Sequence, residues 1–468
     1  MPTYLSPGVY VEEVPPLARP IAGVGTSTAG FIGVIPDSHI IPNPVTEVAI
    51  GVGDGTKDFK LPDYPVDTTS GKFKIRVKGK EVTGATLAND DAKKESTVTL
   101  TTAPAPGEKI DGDYIINRKV VAAGEVKLCT SFDEFKKFFG DFSTDAGQSK
   151  LAHAVYGFFN NGGSRCYVVR TAAETNITVD FLARTFEPID EIAIVAAPGI
   201  TNKTVRADIV THCQIKTQDR VAIFDCAEII EDESKNLDLT KLAPDSTGDF
   251  LPPKSNFVAF YFPWIQVSDP ATKSQNPQGD GLIYVPPSGH MAGIYARVDS
   301  QRGVYKAPAN EPVLGAVGLK YSISKAQQDG LNPQGVNVIR PLNGNIYVWG
   351  ARTIGGDANG EYKYISTRRY FNFLRESIDE GTQFAVFEPN SSALWQRIVR
   401  NVGDFLLGQW RDGALFGDTP KQAFFVRCDA STNPADVRER GQVVTEIGVA
   451  IVKPAEFVIF RIQQQTGS

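Results

Sequence analysis

Apolar positions change period several times along the chain, and each change marks a different kind of element. In YLSPGVYVEEV, residues 4 to 14, Val9, Val11 and Glu13 alternate with Tyr10, Glu12 and Val14 between Pro7-Gly8 and Pro15-Pro16. That is the pattern of one extended strand. Its N–H and C=O groups require a sheet edge, in its own domain or in another chain. PPLARP follows as a stiff connector, and IAGVGTSTAGFIGVIP reads as a buried strand of small and β-branched residues. From Thr46 to Asn117 the spacing becomes that of short strands. FKIRVKGKEVTG predicts two strands about Lys78-Gly79, and STVTLTTAPAPGEKIDGDYIIN two more about a Pro-Gly turn, a small all-β module inserted into something else.

From Ser131 the period turns helical. Ser131 and Glu134 have capping-box spacing ahead of Phe135, Phe138 and Phe139, and Gly140 stops that helix. A second helix carries Leu151, Ala154, Val155, Phe158 and Phe159 on one face and closes at Asn161-Gly162-Gly163. CYVVR, EIAIVAAPG, RVAIFDC and FVAFYFPWI are apolar runs too short for helices, and a helical stretch from Thr204 to Lys216 separates the second from the third. This is β-α-β texture, with a partly parallel sheet covered on both faces. EIIEDESKNLDLTKLAPDSTGD reads as a surface loop.

Toward the end, Tyr370, Phe373, Leu374 and Arg375 lie on neighbouring helical turns, and a longer helix puts Leu394, Ile398, Val402, Phe405, Leu406 and Trp410 on one stripe, ended by Gly413. QAFFVRC is a strand, DASTNPADVRERG a polar and flexible connector, and GQVVTEIGVAIV and AEFVIFRI two further strands. In the last, Phe457, Ile459 and Arg461 alternate with Val458, Phe460 and Ile462. The fold class is therefore mixed α/β (α+β), with an inserted all-β domain and apolar strands near both chain ends.

Composition narrows the function. The 468 residues exceed what one core usually organises, and 43 Gly and 30 Pro fit many turns. A net charge of −6 without any basic run argues against a nucleic-acid groove. Cys129, Cys166, Cys213, Cys226 and Cys428 are scattered and contain no C-x-x-C pair, which suits buried thiols in a reducing compartment. MPTYLSPGVYVEE has neither a basic n-region nor an apolar h-region, and no apolar run approaches the roughly 18 residues of a membrane span, so cytoplasmic synthesis without membrane insertion is expected.

Catalytic signatures are sparse. There is no phosphate loop; Gly23, Gly25 and Gly30 have the wrong spacing for a dinucleotide fingerprint; and Ser288 in VPPSGHMAG lacks the first glycine of a nucleophile elbow. Ser288 reads instead as the cap of the helix MAGIYARVD. His39, His153, His212 and His290 show no metal-ligand spacing, and His212 and Cys213 are adjacent helix-packing residues. Asp379-Glu380 and Glu231, Asp232 and Glu233 read as solvated carboxylates in polar turns. No catalytic residue, metal or cofactor is expected. What exceeds the background is the pair of terminal strands, which either pair within their own domain or act as arms that add to another subunit's sheet.

The stretches SPGVYVEEV, NGGSRCYVVR, VPPSGHMAGIYARVDSQRGVYKAPAN, GVNVIR, VWGARTI, FEPNSSALWQRI and KPAEFVIFRI, in that order, resemble the contractile tail sheath family of contractile phages, R-type pyocins and phage-tail-like injection systems. The resemblance covers residues 1 to 40 and from about 120 to the end, leaving out the β-module. It implies a sheath-type division: an arm and linker at 1–20, a central α/β domain at 21–45 plus 118–364, an outer all-β insertion at 46–117, and a tube-facing α/β domain at 365–468. It implies a subunit that polymerises with itself as a helical sleeve around an inner tube protein and contracts when a baseplate triggers it. A cap or tail terminator would complete the partners, with no nucleic acid among them. Residues Val9, Tyr10, Val11, Glu12, Glu13 and Val14, and Phe457, Val458, Ile459, Phe460, Arg461 and Ile462, match the arms that such proteins exchange between neighbours. Arg397, Arg400 and Arg411 become candidates for tube contact, and the linkers at Pro15 to Pro20 and Asp429 to Gly441 the places that bend. A non-contractile baseplate or other virion component, and a cytosolic α/β enzyme with a β-insert, are the alternative readings.

Overall fold

The computed structural model describes residues 20–243 and 250–460. Among them, the largest sheet has nine strands, in the order Glu311–Pro312, Asn345–Val348, Val336–Leu342, Val258–Phe262, Val221–Asp225, Ile194–Ala196, Ala29–Val34, Cys166–Thr171 and Lys127–Cys129. The six from Val336–Leu342 to Cys166–Thr171 run parallel, and antiparallel strands close both edges. Parallel strands need both faces covered, and the alternation of side chains divides them cleanly. Phe31, Val168, Ile194, Ile223 and Tyr261 face one core with the helices Ala146–Asn160 and Ser288–Arg302. Ile32, Val169, Val195, Phe224 and Phe260 face the other, with Val179–Thr185 and Lys203–Thr211.

The two helices on the first face approach closely because small residues line their contact. A Cβ on Gly289 would lie 2.3 Å from the Cα of Ala154, and one on Gly293 2.4 Å from the carbonyl oxygen of Phe158. This gives SGHMAG a packing role. The cap expected at Ser288 is not found. The helix begins at Ser288 itself, after Pro287, and Asp225 satisfies its start: Ser288 donates its N–H to Oδ1 at 2.6 Å and its Oγ–H to Oδ2 at 2.7 Å. The capping box at Ser131 is half made. Ser131 Oγ accepts from Glu134 N–H, but the Glu134 carboxylate reaches past it to the N–H and Oγ of Thr130, both at 2.8 Å.

The β-module is built on a long ladder in which Ile40–Val52 pairs antiparallel with Lys109–Lys119, from Ile40↔Lys119 to Val52↔Lys109. Lys74–Val77 and Lys80–Glu81 extend that sheet, and a three-stranded sheet of Asp58–Lys60, Glu95–Thr99 and Thr86–Asp90 packs on it through Phe59, Leu87, Val98, Ile110 and Tyr114.

The C-terminal lobe packs the helices Ile365–Thr382 and Ser392–Arg411 around Tyr370, Leu374, Leu394, Ile398, Val402 and Leu406. A two-stranded sheet, Phe424–Arg427 with Glu446–Val449, lies beside them. Asp379 and Glu380 are exposed but sit within the first of these helices, not in a turn. The flexible connector expected at Asp429 to Gly441 is instead a hydrogen-bonded cap. Asp429 accepts from Ser431 N–H at 2.7 Å, Ala435–Glu439 is a short helix, and buried Asn433 donates to Val444 O at 3.0 Å and accepts from Val444 N–H at 2.6 Å. Polar turn-formers there bond to one another and to the next strand, so polarity did not mean freedom.

Candidate subunit interface

The chain leaves the small sheet at Val449, makes a last backbone contact from Val452 N–H to Ala414 O at 3.2 Å, and crosses to the central lobe. There Glu456 is seized. Arg352 holds it through Nε–Oε1 and Nη2–Oε2, both 2.8 Å, Asn332 Nδ2 donates to Oε1 at 2.7 Å, and Tyr364 Oη donates to Oε2 at 2.8 Å. The Arg352 side chain is 4% exposed and that of Glu456 19%. Burial works to raise the Glu456 pKa, but the donors outweigh it and hold the carboxyl below its ordinary range.

Immediately beyond this anchor the environment inverts. Phe457, Val458, Ile459 and Phe460 are 70%, 69%, 79% and 85% exposed, and none belongs to a strand. Four consecutive exposed apolar residues are a surface that folding alone does not stabilise. Arg461 and Ile462 lie outside the described residues, as do Val9, Tyr10, Val11, Glu12, Glu13 and Val14 and most of the Pro15 to Pro20 linker. The sheet of Phe424–Arg427 and Glu446–Val449 has only its two strands among the described residues, so each keeps an outer edge, and Phe425 on it is 56% exposed.

Residues 21–26 run back along the helix Ile365–Thr382. Ile21 packs at Gly381, Gly23 at Phe373, and Val24 N–H donates to Ser377 Oγ at 3.1 Å. The connector then enters a buried clasp. Arg369 donates through Nη1 and Nη2 to Asp299 at 2.9 and 2.5 Å and through Nη2 to Thr26 O at 2.9 Å, while Thr26 Oγ1 donates to Asp299 Oδ2 at 2.6 Å. On the long helix the three arginines separate. Arg397 pairs with Glu388 at 3.0 Å and lies over the Phe384 ring, whereas Arg400 and Arg411 are exposed about three helical turns apart.

Burial is the largest cause of the shifts of the interior titratable groups. Burial pushes Asp225 up to about 6 against the hydrogen bonds from Gly199 and Ser288. Burial, helped by the Arg220 charge, brings His212 down to about 4, and burial with the His153 charge brings His290 to about 3. The five cysteines are all buried, and burial raises the Cys129 and Cys213 thiols to about 12, far from nucleophilic poise. Among the described residues, no group of three or more His, Cys, Asp or Glu is arranged to hold a metal ion, and no helix is long and apolar enough to cross a membrane.

Among the described residues the chain is thus a mixed α/β body with an exposed apolar run outside any strand and a two-stranded sheet with open edges. The comparisons say which kind. The family described as phage tail sheath protein central domain matches residues 178–354, and phage tail sheath C-terminal domain matches residues 357–465. The chain belongs to the contractile tail sheath family. It is similar to the tail sheath protein of Vibrio phage KVP40, with 26% identity over 38% of this chain and 26% of that protein. It is also similar to the tail sheath protein of Burkholderia phage BcepMu, with 25% identity over 45% of this chain and 43% of that one. The matches thus span less than half the length of these relatives. In fold it resembles the sheath complex of an extracellular contractile injection system, PVC, seen by cryo-electron microscopy in the contracted state, with TM-score 0.65, 23% identity, and 99% of both chains covered.

The strand expected over AEFVIFRI is not formed at Phe457–Phe460, and sequence reasoning missed Glu456, Arg352, Tyr364, Asn332, Asp299 and Arg369. Arg352 and Glu456 both stand in stretches that carry the family resemblance, VWGARTI and KPAEFVIFRI, which was the available signal. Nothing in either stretch says that they touch across 104 residues.

Proposed function

We propose that this chain is the structural subunit of a contractile sheath, a self-polymer rather than an enzyme. It is assembled in the bacterial cytoplasm around an inner tube, on a baseplate and under a terminator, as part of a virion or phage-tail-like particle. The observation that carries the reading is the run Phe457 to Phe460, exposed and unpaired directly after a firmly held carboxylate. On this reading the arm, with the N-terminal strand of residues 9 to 14, adds to the edges of Phe424–Arg427 and Glu446–Val449 of neighbouring copies, which closes both open edges. About five backbone hydrogen bonds at a net ~1 kcal/mol each make one exchanged strand worth a few kcal/mol before side-chain burial. Arg400 and Arg411 supply exposed positive charge for a tube surface. The divisions at 21–45 plus 118–364, 46–117 and 365–468 are taken as the working bodies.

Negative-stain imaging of the protein co-expressed with its tube partner tests this. Full-length protein is expected to give sleeves in two states differing in length and diameter, and protein lacking residues 1–14 a soluble monomer. Ordinary sleeves from the truncated protein refute strand exchange.

A further inference from the structure

The distances around Glu456 bear on more than stability. Residues 424–449 belong to the C-terminal lobe, but Arg352, Asn332 and Tyr364, which grip Glu456, lie at the end of the central sheet and the entry to the Ile365–Thr382 helix. The last stretch of chain thus bridges both lobes before it becomes an arm. Between Val452, with its backbone contact to Ala414, and Glu456 lie Lys453, Pro454 and Ala455, of which Lys453 and Ala455 are exposed.

We propose that Glu456 is the fixed root of the C-terminal arm, a positioning residue for strand exchange that sets where the arm leaves the body and passes its tension directly into the central lobe. This rests on the strand-exchange reading above. The six residues 457 to 462 span about 20 Å when extended. Releasing Glu456 moves the root back to Val452 and adds four residues, roughly 13 Å of slack. A tether of that length near its required span loses effective concentration when it slackens, and with it the bias toward one neighbour's edge. The carboxylate suits the role because bidentate Arg352 fixes direction as well as distance, and Asn332 and Tyr364 occupy further acceptor positions. Bending during any rearrangement between subunits is thereby confined to positions beyond 456.

The test uses full-length protein with two variants. Glu456→Gln removes the charge and keeps the shape. The double variant Arg352→Met with Glu456→Leu removes both charges, so that no guanidinium is left buried without its partner. Mobility of the exit is read by electron paramagnetic resonance of a nitroxide on Ala455→Cys, an exposed position in a protein whose five native thiols are buried, and sleeve formation by sedimentation over a series of subunit concentrations. In both variants the label is expected to become several times more mobile and the concentration needed for sleeves to rise severalfold, while the melting temperature of the body stays near that of the parent. Unchanged label mobility overturns the root, and so does a more mobile label with unchanged assembly. A control lacking residues 457 to 462 separates the two readings: its label stays as immobile as in the parent if the root exists, and if it nevertheless forms sleeves, strand exchange by this arm is wrong.

Discussion

Replacing Asp299 by alanine tests how the connector, the central lobe and the C-terminal lobe are joined. Asp299 and Arg369 have side chains only 5% and 3% exposed, so salt does not screen them. The substitution deletes two charge-assisted bonds from Arg369 and the one from Thr26 Oγ1, and leaves the guanidinium with Thr26 O at 2.9 Å and the Tyr295 ring, whose centroid lies 4.7 Å away. A neutral carbonyl and a ring face do not compensate a buried cation, and breaking such a pair from one side costs about 3–5 kcal/mol. Removing both charges, as Asp299→Leu with Arg369→Met, leaves no orphan and is expected to cost no more than about 2 kcal/mol. A chain with several lobes does not unfold in one step, so the loss is best read by native-state hydrogen exchange over residues 21–28 and 365–382, which carry Thr26 and Arg369, the two groups that Asp299 holds. If Asp299→Ala shifts these segments by less than about 1 kcal/mol, or the double variant is as damaged as the single one, the pair does not hold the lobes.

Three further outcomes follow from the same contacts. Gly293→Ala forces a methyl to within 2.4 Å of the Phe158 carbonyl oxygen, so the urea midpoint of the central lobe is expected to drop by the equivalent of about 1–3 kcal/mol; a neutral substitution shows that the helix crossing relaxes freely. His212 and His290 have folded pKa values of about 4 and 3, below the unfolded 6.5, so the unfolded chain takes up protons first and stability present at pH 7 is lost as pH falls from about 6.5. Each contributes about 3 kcal/mol of loss by pH 4, against about 2 kcal/mol gained from Asp225, whose folded value of about 6 is raised; urea unfolding at pH 7, 5.5 and 4 is expected to show a net fall, most of which His212→Gln removes. Arg400→Glu with Arg411→Glu is expected to weaken salt-sensitive capture of the tube at unchanged melting temperature, whereas Arg397→Ala, which loses Glu388 and Phe384, destabilises the helix start; tube pull-down at two salt concentrations distinguishes them.

The elements legible in the sequence are those in which burial is local and periodic. Val221–Asp225 and Val258–Phe262 are apolar on both faces because helices cover both, and their short length betrays them as strands. The stripe Leu394, Ile398, Val402, Phe405 and Leu406 faces one core and reads directly as helix. Polar residues deceived because their partners are chosen in three dimensions. Glu134 had the spacing for Ser131 and took Thr130, Ser288 looked like a cap and met Asp225 instead, and Asp429 to Gly441 looked loose while bonding inwardly. Glu456 sat in a recognised stretch, yet its role depends on Arg352, Asn332 and Tyr364, which no local pattern connects to it.

The positions of the two ionic contacts constrain where motion can occur. One grips Thr26, Asp299 and Arg369 along the first half of the Ile365–Thr382 helix, and the other grips Glu456 at Tyr364, just before that helix begins. Apolar surfaces tolerate sliding, but bidentate guanidinium–carboxylate pairs are directional, and two of them at separate points define an orientation and not just a distance. The lobes and both chain exits are therefore tied to one helix. Under the proposed strand exchange, a change of state in a polymer costs least in the segments that pass between bodies and most within the tied bodies themselves. The free energy that separates two such states then resides in how bodies pack against one another. On this reasoning, substitutions on exposed faces between subunits change the balance between long and short sleeves, while substitutions within the clasps reduce the amount of either.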